Sequence, residues 1–320
     1  MSTYIRRQEI THEVGARGRV TLQVNDADVR VTGAPMQAAR VVATFELSAT
    51  SDDEASRLFD ALKLRVAASA GGLTVEQQDQ ASVNPLLRLI GRGGGASLQI
   101  EATVPTGAVL RVETVSGDVN TTQLEGDQRY ATVSGDLVIL AGAGSVRLST
   151  VSGDAVLRAH GALALRAESV SGDLGVTAAR LDALRASTVS GDIDVEGALR
   201  PGGEHRIETV SGDVTFAPVG GASFEVRGLS TDISGDIDHR IEGRADRRHV
   251  IVGGGGPEVV FSSMSGDFHV RRPRDLEPEE DETARRAETM AEQADDLDVL
   301  RALERGDIDV EEAGRRLGNR

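Results

Sequence analysis

Eight aspartates recur along this chain, each ending a Ser-Gly-Asp tripeptide: Asp118, Asp136, Asp154, Asp173, Asp192, Asp213, Asp236 and Asp267. Carboxylates held side by side support three kinds of chemistry. Neighbours can share a hard cation such as Ca²⁺. An unequal pair can act as acid and base on a glycosidic bond. Or each carboxylate can accept backbone N–H groups and shape a bend. Eight equal copies argue against a catalytic pair, which needs one unique site. The steps between tripeptides are 18, 18, 19, 19, 21, 23 and 31 residues. A period near 20 residues marks a solenoid, one coil per repeat. Equivalent residues then stack about 4.8 Å apart. Two like charges at that distance repel by roughly 0.9 kcal/mol in water, so an Asp ladder needs an offset.

A second stripe offers one. Five residues before each of the first six serines stands an arginine: Arg111, Arg129, Arg147, Arg166, Arg185 and Arg206. Apolar neighbours such as Leu110/Val112 and Val146/Leu148 place these arginines on the outer face of a strand. They can neutralise the Asp ladder or form a docking stripe for an acidic partner, the chain's own Glu277–Glu282 run included. The six histidines, His12, His160, His205, His239, His249 and His269, lack metal-site spacing. The repeated serines have no fixed His partner in the sequence, which argues against a nucleophile.

These residues must be carried by strands. Thr-Val or Ser-Val precedes each of the first six tripeptides, and an alternating pair follows, such as Leu137/Ile139 and Ile193/Val195. Val, Gly and the following pair are expected to point inward, Ser and Asp outward, with a corner or bulge before Thr-Val. Residues 1–105 form a β-rich N-terminal cap. Ser51 and Glu54 have capping-box spacing for one helix, whose apolar face is Ala55, Leu58, Phe59 and Leu62. Residues 106–272 are the Ser-Gly-Asp solenoid, and 273–283 an acidic linker. Residues 284–320 read as a helical hairpin with Leu297, Leu300, Leu303, Val310 and Leu317 as its interaction face. The expected fold class is all-β: a β-solenoid of about eight coils with a β-rich cap containing one helix, plus a C-terminal two-helix hairpin.

Composition narrows the function. Aromatics are 2% of the 320 residues, too few for most sugar-stacking or single-strand nucleic-acid sites. The net charge of −16 opposes phosphate backbones. Cysteine is absent, so there are no disulfides or thiolate metal sites. The opening MSTYIRRQEI lacks a signal-peptide core, and no apolar run is long enough to span a membrane. A cytoplasmic location is expected.

The Thr-Val-Ser-Gly-Asp copies from Thr114 to Asp213, with the Ser-Gly-Asp copies at Ser234 and Ser265, resemble a bacterial adhesin-type domain family also called toast-rack. The resemblance covers residues 10–272. It implies a β-solenoid without established enzymatic activity, and an association of some members with envelope-stress systems. The tail LDVLRALERGDIDVEEAGRRL is similar to short bihelical SHOCT-like segments. The leading expectation is a non-enzymatic protein-interaction scaffold, self-association included, with no cofactor. The alternatives are a Ca²⁺-dependent module using the Asp ladder and a polysaccharide-active β-helix enzyme.

Overall fold

The computed structural model describes residues 2–62, 64–77, 96–244 and 247–274. The acidic linker from 275 onward and the helical hairpin with its Leu297–Leu317 face lie outside the described residues. The fold that follows is that of residues 2–273.

The first 105 residues contribute β1 (Ser2–Glu13), β2 (Arg19–Gln23), β3 (Asp28–Ala34), β4 (Ala38–Ala49), α1 (Asp52–Ala61), β5 (Leu64–Ser69), β6 (Gly72–Gln77) and β7 (Ala96–Pro105). The repeats contribute β8 (Val109–Glu113), β9 (Val119–Leu124), β10 (Gln128–Ser134), β11 (Leu137–Ala141), β12 (Gly144–Ser152), β13 (Ala155–Ser171), β14 (Leu174–Ser190), β15 (Ile193–Leu199), β16 (His205–Ser211) and β17 (Val214–Pro218). The chain closes with β18 (Ala222–Ser230), β19 (Ile233–Gly235), β20 (His239–Arg244), β21 (Arg247–Val252), β22 (Glu258–Ser265) and β23 (Phe268–Val270).

Each coil has two strands, one before and one after its tripeptide, so the stack has two faces. On the first face the order is β5-β6-β2-β8-β10-β12-β13-β14-β16-β22-β18-β21-β20. On the second it is β1-β4-β7-β3-β9-β11-β13-β14-β15-β17-β23-β19. The long strands β13 and β14 cross from the second face of one coil to the first face of the next. Coil-to-coil pairing is parallel. Antiparallel strands appear only towards the ends, where β1, β4 and β5 close one side and β20 and β21 the other.

Alternation along each strand builds the core. Leu110/Val112, Val146/Leu148 and Leu165/Ala167 are buried from the first face, and Leu137/Ile139 and Ile193/Val195 from the second. Fully burying such a Val, Leu or Ile is worth about 1.5–3 kcal/mol. Most of the space between the faces is filled by aliphatic side chains; in the middle of the stack Tyr130 is also fully buried, its hydroxyl donating to Gln128 Oε1 at 2.7 Å. Bulk is needed where the stack stops, and there Phe216, Phe224, Phe261 and Phe268 pack with ring centroids 5.0–5.4 Å apart.

The helix forms where the capping box places it. Glu54 N–H donates to Ser51 Oγ at 3.3 Å, and the Glu54 carboxylate accepts from Thr50 N–H at 2.8 Å. The acidic first turn, Asp52, Asp53 and Glu54, suits the positive end of the helix dipole.

Two expectations are overturned. The motif valine does not point inward. Val115, Val133, Val151, Val170, Val189 and Val210 are 43–49% exposed, while Thr114, Thr132, Thr150, Thr188 and Thr209 are buried. Nor is there a break in phase before Thr-Val. Alternation runs on unbroken from the outward Arg, so Thr falls inside and Val outside, and the corner lies at Ser-Gly-Asp itself.

Candidate functional site

The chemistry-bearing residues gather along the corner and the first face, because every coil repeats the same positions at the same height. The carboxylates form a relay. Asp118 N–H donates to Asp28 Oδ1, Asp136 N–H to Asp118, Asp154 N–H to Asp136, and so on through Asp173, Asp192, Asp213, Asp267 and Asp232, at 2.8–3.2 Å. Carbonyls run the other way, as in Leu137 N–H to Asp154 O at 2.8 Å. Each carboxylate thus caps an amide of the next coil, and this charge-assisted bond offsets the like-charge repulsion. Among the described residues no group of three or more His, Cys, Asp or Glu is placed to hold a metal ion.

The relay differs from the sequence pattern at both ends. It begins at Asp28, in Asp26-Ala27-Asp28, whose first residue bridges Ser116. It ends at Asp232, in Ser230-Thr231-Asp232, where Ser230 is in register with Ser265. Asp236 is outside the ladder, although it ends a perfect Ser-Gly-Asp. Its tripeptide is shifted by four residues, pairing Ser234 with His269 and Gly235 with Val270. His269 therefore bridges Ser234 Oγ (Nδ1, 2.9 Å) and Asp236 Oδ2 (Nε2, 3.2 Å), giving one motif serine the His partner that the sequence did not reveal.

Glycine is required at the corner by close approach. A Cβ on Gly153 would lie 2.4 Å from Gly135 O, and φ there is +137°. Beside it the inward Thr is small, and in the first full repeat Thr114 Oγ1 donates to Ser116 O at 3.2 Å.

The six arginines stand in register on adjacent strands: Arg111, Arg129, Arg147, Arg166, Arg185, Arg206. Three of them pair not with the ladder aspartates but with glutamates two residues along. Arg111–Glu113, Arg166–Glu168 and Arg206–Glu208 each bond at 2.7 Å. Burial opposes ionisation of Glu113, yet bonds from Gln23 and Arg111 outweigh it and hold its pKa below the ordinary value. Arg129 and Arg147 have Ala131 and Ser149 in the glutamate's place. They line a trough of about 600 Å³ with Arg19 and Arg111. Arg129, Arg147 and Arg166 share a second of about 330 Å³.

Outside these ladders, ion clusters tie down the far end. Glu225, only 5% exposed, pairs with Arg227 and Arg247. The Arg227 bond, then Arg247, hold its carboxyl at a pKa of about 2 against the burial that would raise it. Arg271 reaches Asp194 (2.8 Å) and Glu196 (2.9 Å).

A parallel two-faced β-solenoid with a repeated Ser-Gly-Asp corner is the class these features define. The chain belongs to the Toastrack DUF4097 family, whose pattern matches residues 100–271. Among solved structures it is similar to a "putative adhesin" from Bacteroides fragilis (11% identity, TM-score 0.43, 83% of this chain and 97% of that one). It is also similar to a "putative cell adhesion protein" from Clostridium sporogenes (10%, TM-score 0.27, 83% and 100%). A third is a "putative lipid binding protein" from Parabacteroides distasonis (10%, TM-score 0.25, 84% and 97%). No curated protein matches the chain.

Proposed function

We propose that this chain is a non-enzymatic protein-interaction scaffold whose first face binds an acidic protein surface. The observation that carries this is the arginine row. Six guanidinium groups stand in register on a protein of net charge −16. Glutamates flank only part of the row, and the gap at Arg129 and Arg147 lies over a trough. A regular row of like charges in a shallow groove attracts an extended array of opposite charge and speeds its encounter.

Binding of a fluorescent oligoglutamate peptide to the full chain, followed by anisotropy across a salt series, tests this. The wild type should bind, with affinity falling as salt rises. R129E/R147E should weaken binding at least about tenfold, roughly 1.4 kcal/mol, while D136N/D154N should not weaken it. No binding by the wild type, or equal binding by the arginine variant, overturns the proposal.

A further inference from the structure

The outward valines are the least expected feature of the surface. Their row runs from Val115 to Val210 and on to Met264, which is 59% exposed. At the first corner its place is taken by Asn25, beside the Asp26 bridge to Ser116. Stacking on the rungs above and below covers only about half of each side chain. Strand preference does not explain the choice, since Thr is equally β-branched and carries a hydroxyl for water. The neighbouring outward row, two residues earlier, varies from coil to coil: Glu113, Ala131, Ser149, Glu168, Ser187, Glu208. The valine row never varies in the first six copies.

Seven half-exposed apolar side chains present on the order of 400–500 Å², the size of the largest patch on a typical monomer, which is often functional. At about 4.8 Å per rung the row is about 29 Å long. Two such rows face to face bury about 800–1,000 Å², and the flanking rows are needed to carry the contact past the roughly 1,000 Å² of a specific interface.

We propose that the acidic partner of the first face is a second copy of this chain, joined valine row to valine row with the two stacks parallel. This rests on the scaffold reading above and names its partner. The flanking charges select the orientation. Crossing the corner, the order is Arg, variable, Val, Ser-Gly, Asp, so the arginine row lies on one side of the valine seam and the Asp ladder on the other. A twofold axis parallel to the stack reverses this order in the partner, and each arginine row then faces the other copy's aspartates. A twofold axis across the stack sets arginine against arginine. Both rows have the rise of the same coils, so a match at one rung is a match along the whole seam. Such an interface is isologous and closes at two copies.

Sedimentation equilibrium of the full chain up to about 100 µM is the first test, with a dimer expected. Val151→Lys with Val170→Lys should raise the dissociation constant at least tenfold, and at dilutions where both chains are monomeric it should leave the melting temperature unchanged, because both positions are exposed in the single chain. The chain has no cysteine, so V133C and V189C each introduce a single thiol. With a short bismaleimide each variant should cross-link to itself. Cross-linking only in a V115C and V210C mixture overturns the parallel arrangement. A monomer that still binds oligoglutamate overturns self-pairing and leaves the scaffold reading standing; a monomer that binds none sinks both.

Discussion

Between Val109 and Ser211 the coils stack in the order in which they occur along the chain, whereas at both ends they do not. The outer pair β6–β7 lies beyond β2–β3. At the other end β22–β23 inserts between β16–β17 and the earlier pair β18–β19. The middle is regular: mostly small and branched aliphatics inside, with Tyr130, Gln128 and Thr121 as one buried polar cluster, glycine at each corner, every strand paired on both sides. The ends are individual. All six phenylalanines of the chain fall there, at Phe45, Phe59, Phe216, Phe224, Phe261 and Phe268. A parallel stack supplies each coil with partners but has no device for stopping, and an open strand edge invites a stranger. The ends stop it with antiparallel strands, bulky rings and charged edge residues such as Arg6, Arg7 and Glu9 on β1.

The sharpest way to break the middle is at its corner. Gly153→Val places a Cβ 2.4 Å from Gly135 O, against backbone that cannot move without its neighbours. We expect more than about 4 kcal/mol of destabilisation, or no cooperative thermal transition by circular dichroism. Gly202, at φ +72° with nothing within 4 Å, is the control; Gly202→Ala should cost only about 1–2 kcal/mol.

Next in size is the far end. Phe224→Ala opens a cavity among Phe216 and Phe268 and should cost about 3–5 kcal/mol. Because repeat stability is shared mainly between neighbours, amide exchange should quicken in β18, β21 and β22 and stay slow in β8 to β12. Equal loss of protection throughout would make the two regions one cooperative unit.

The Asp relay gives a smaller effect with a clear internal control. Asp154→Ala removes the acceptor of Asp173 N–H and should cost about 1–2 kcal/mol in urea unfolding. Asp154→Asn keeps a carbonyl acceptor and removes a like charge, so it should stay within about 0.5 kcal/mol of wild type. Asp236→Ala, at the copy outside the ladder, should also stay within about 0.5 kcal/mol. A costly Asp236→Ala would contradict the register.

The smallest effect is a pH dependence confined to the far end. Glu225 has its pKa lowered from 4.5 to about 2 by Arg227 and Arg247. A depressed folded-state pKa means that the unfolded chain binds the proton more readily. The stabilisation is therefore complete above about pH 4.5 and is lost as pH falls towards 2. Glu225→Gln should flatten that part of the stability profile between pH 5 and 2 (about the carboxylate range), as followed by urea midpoints.

Much of this was legible along the chain. The near-constant period announced coils, the Arg flanked by apolar residues announced an outward row, and Ser51 with Glu54 announced the helix. In the valine row strand phase prevails over hydrophobicity. Counting by two from Arg111 places Glu113 and Val115 outside and Thr114 inside, and the backbone follows the count. Asp28 was hidden by a 90-residue gap to Asp118 and by an Ala in the glycine's place. Yet Asp28-Val29-Arg30-Val31 carries the same Asp followed by an alternating pair.

By itself the sequence determined the repeated coil and its alternating strands, because these follow from a pattern that each repeat carries within about 20 residues; the count of two strands per coil and the place of the corner came from the fold. Only the tertiary structure decided which coil lies on which at the ends, and hence which aspartates join the relay. Ser230-Thr231-Asp232 and Ser234-Gly235-Asp236 lie four residues apart, and the better match to the motif lost. The register was set by β18 pairing along β22, from Ser223 with Glu258 to Ser230 with Ser265. A strand-length ladder of backbone hydrogen bonds, with the phenylalanines packed behind it, outweighs the preference of a single tripeptide.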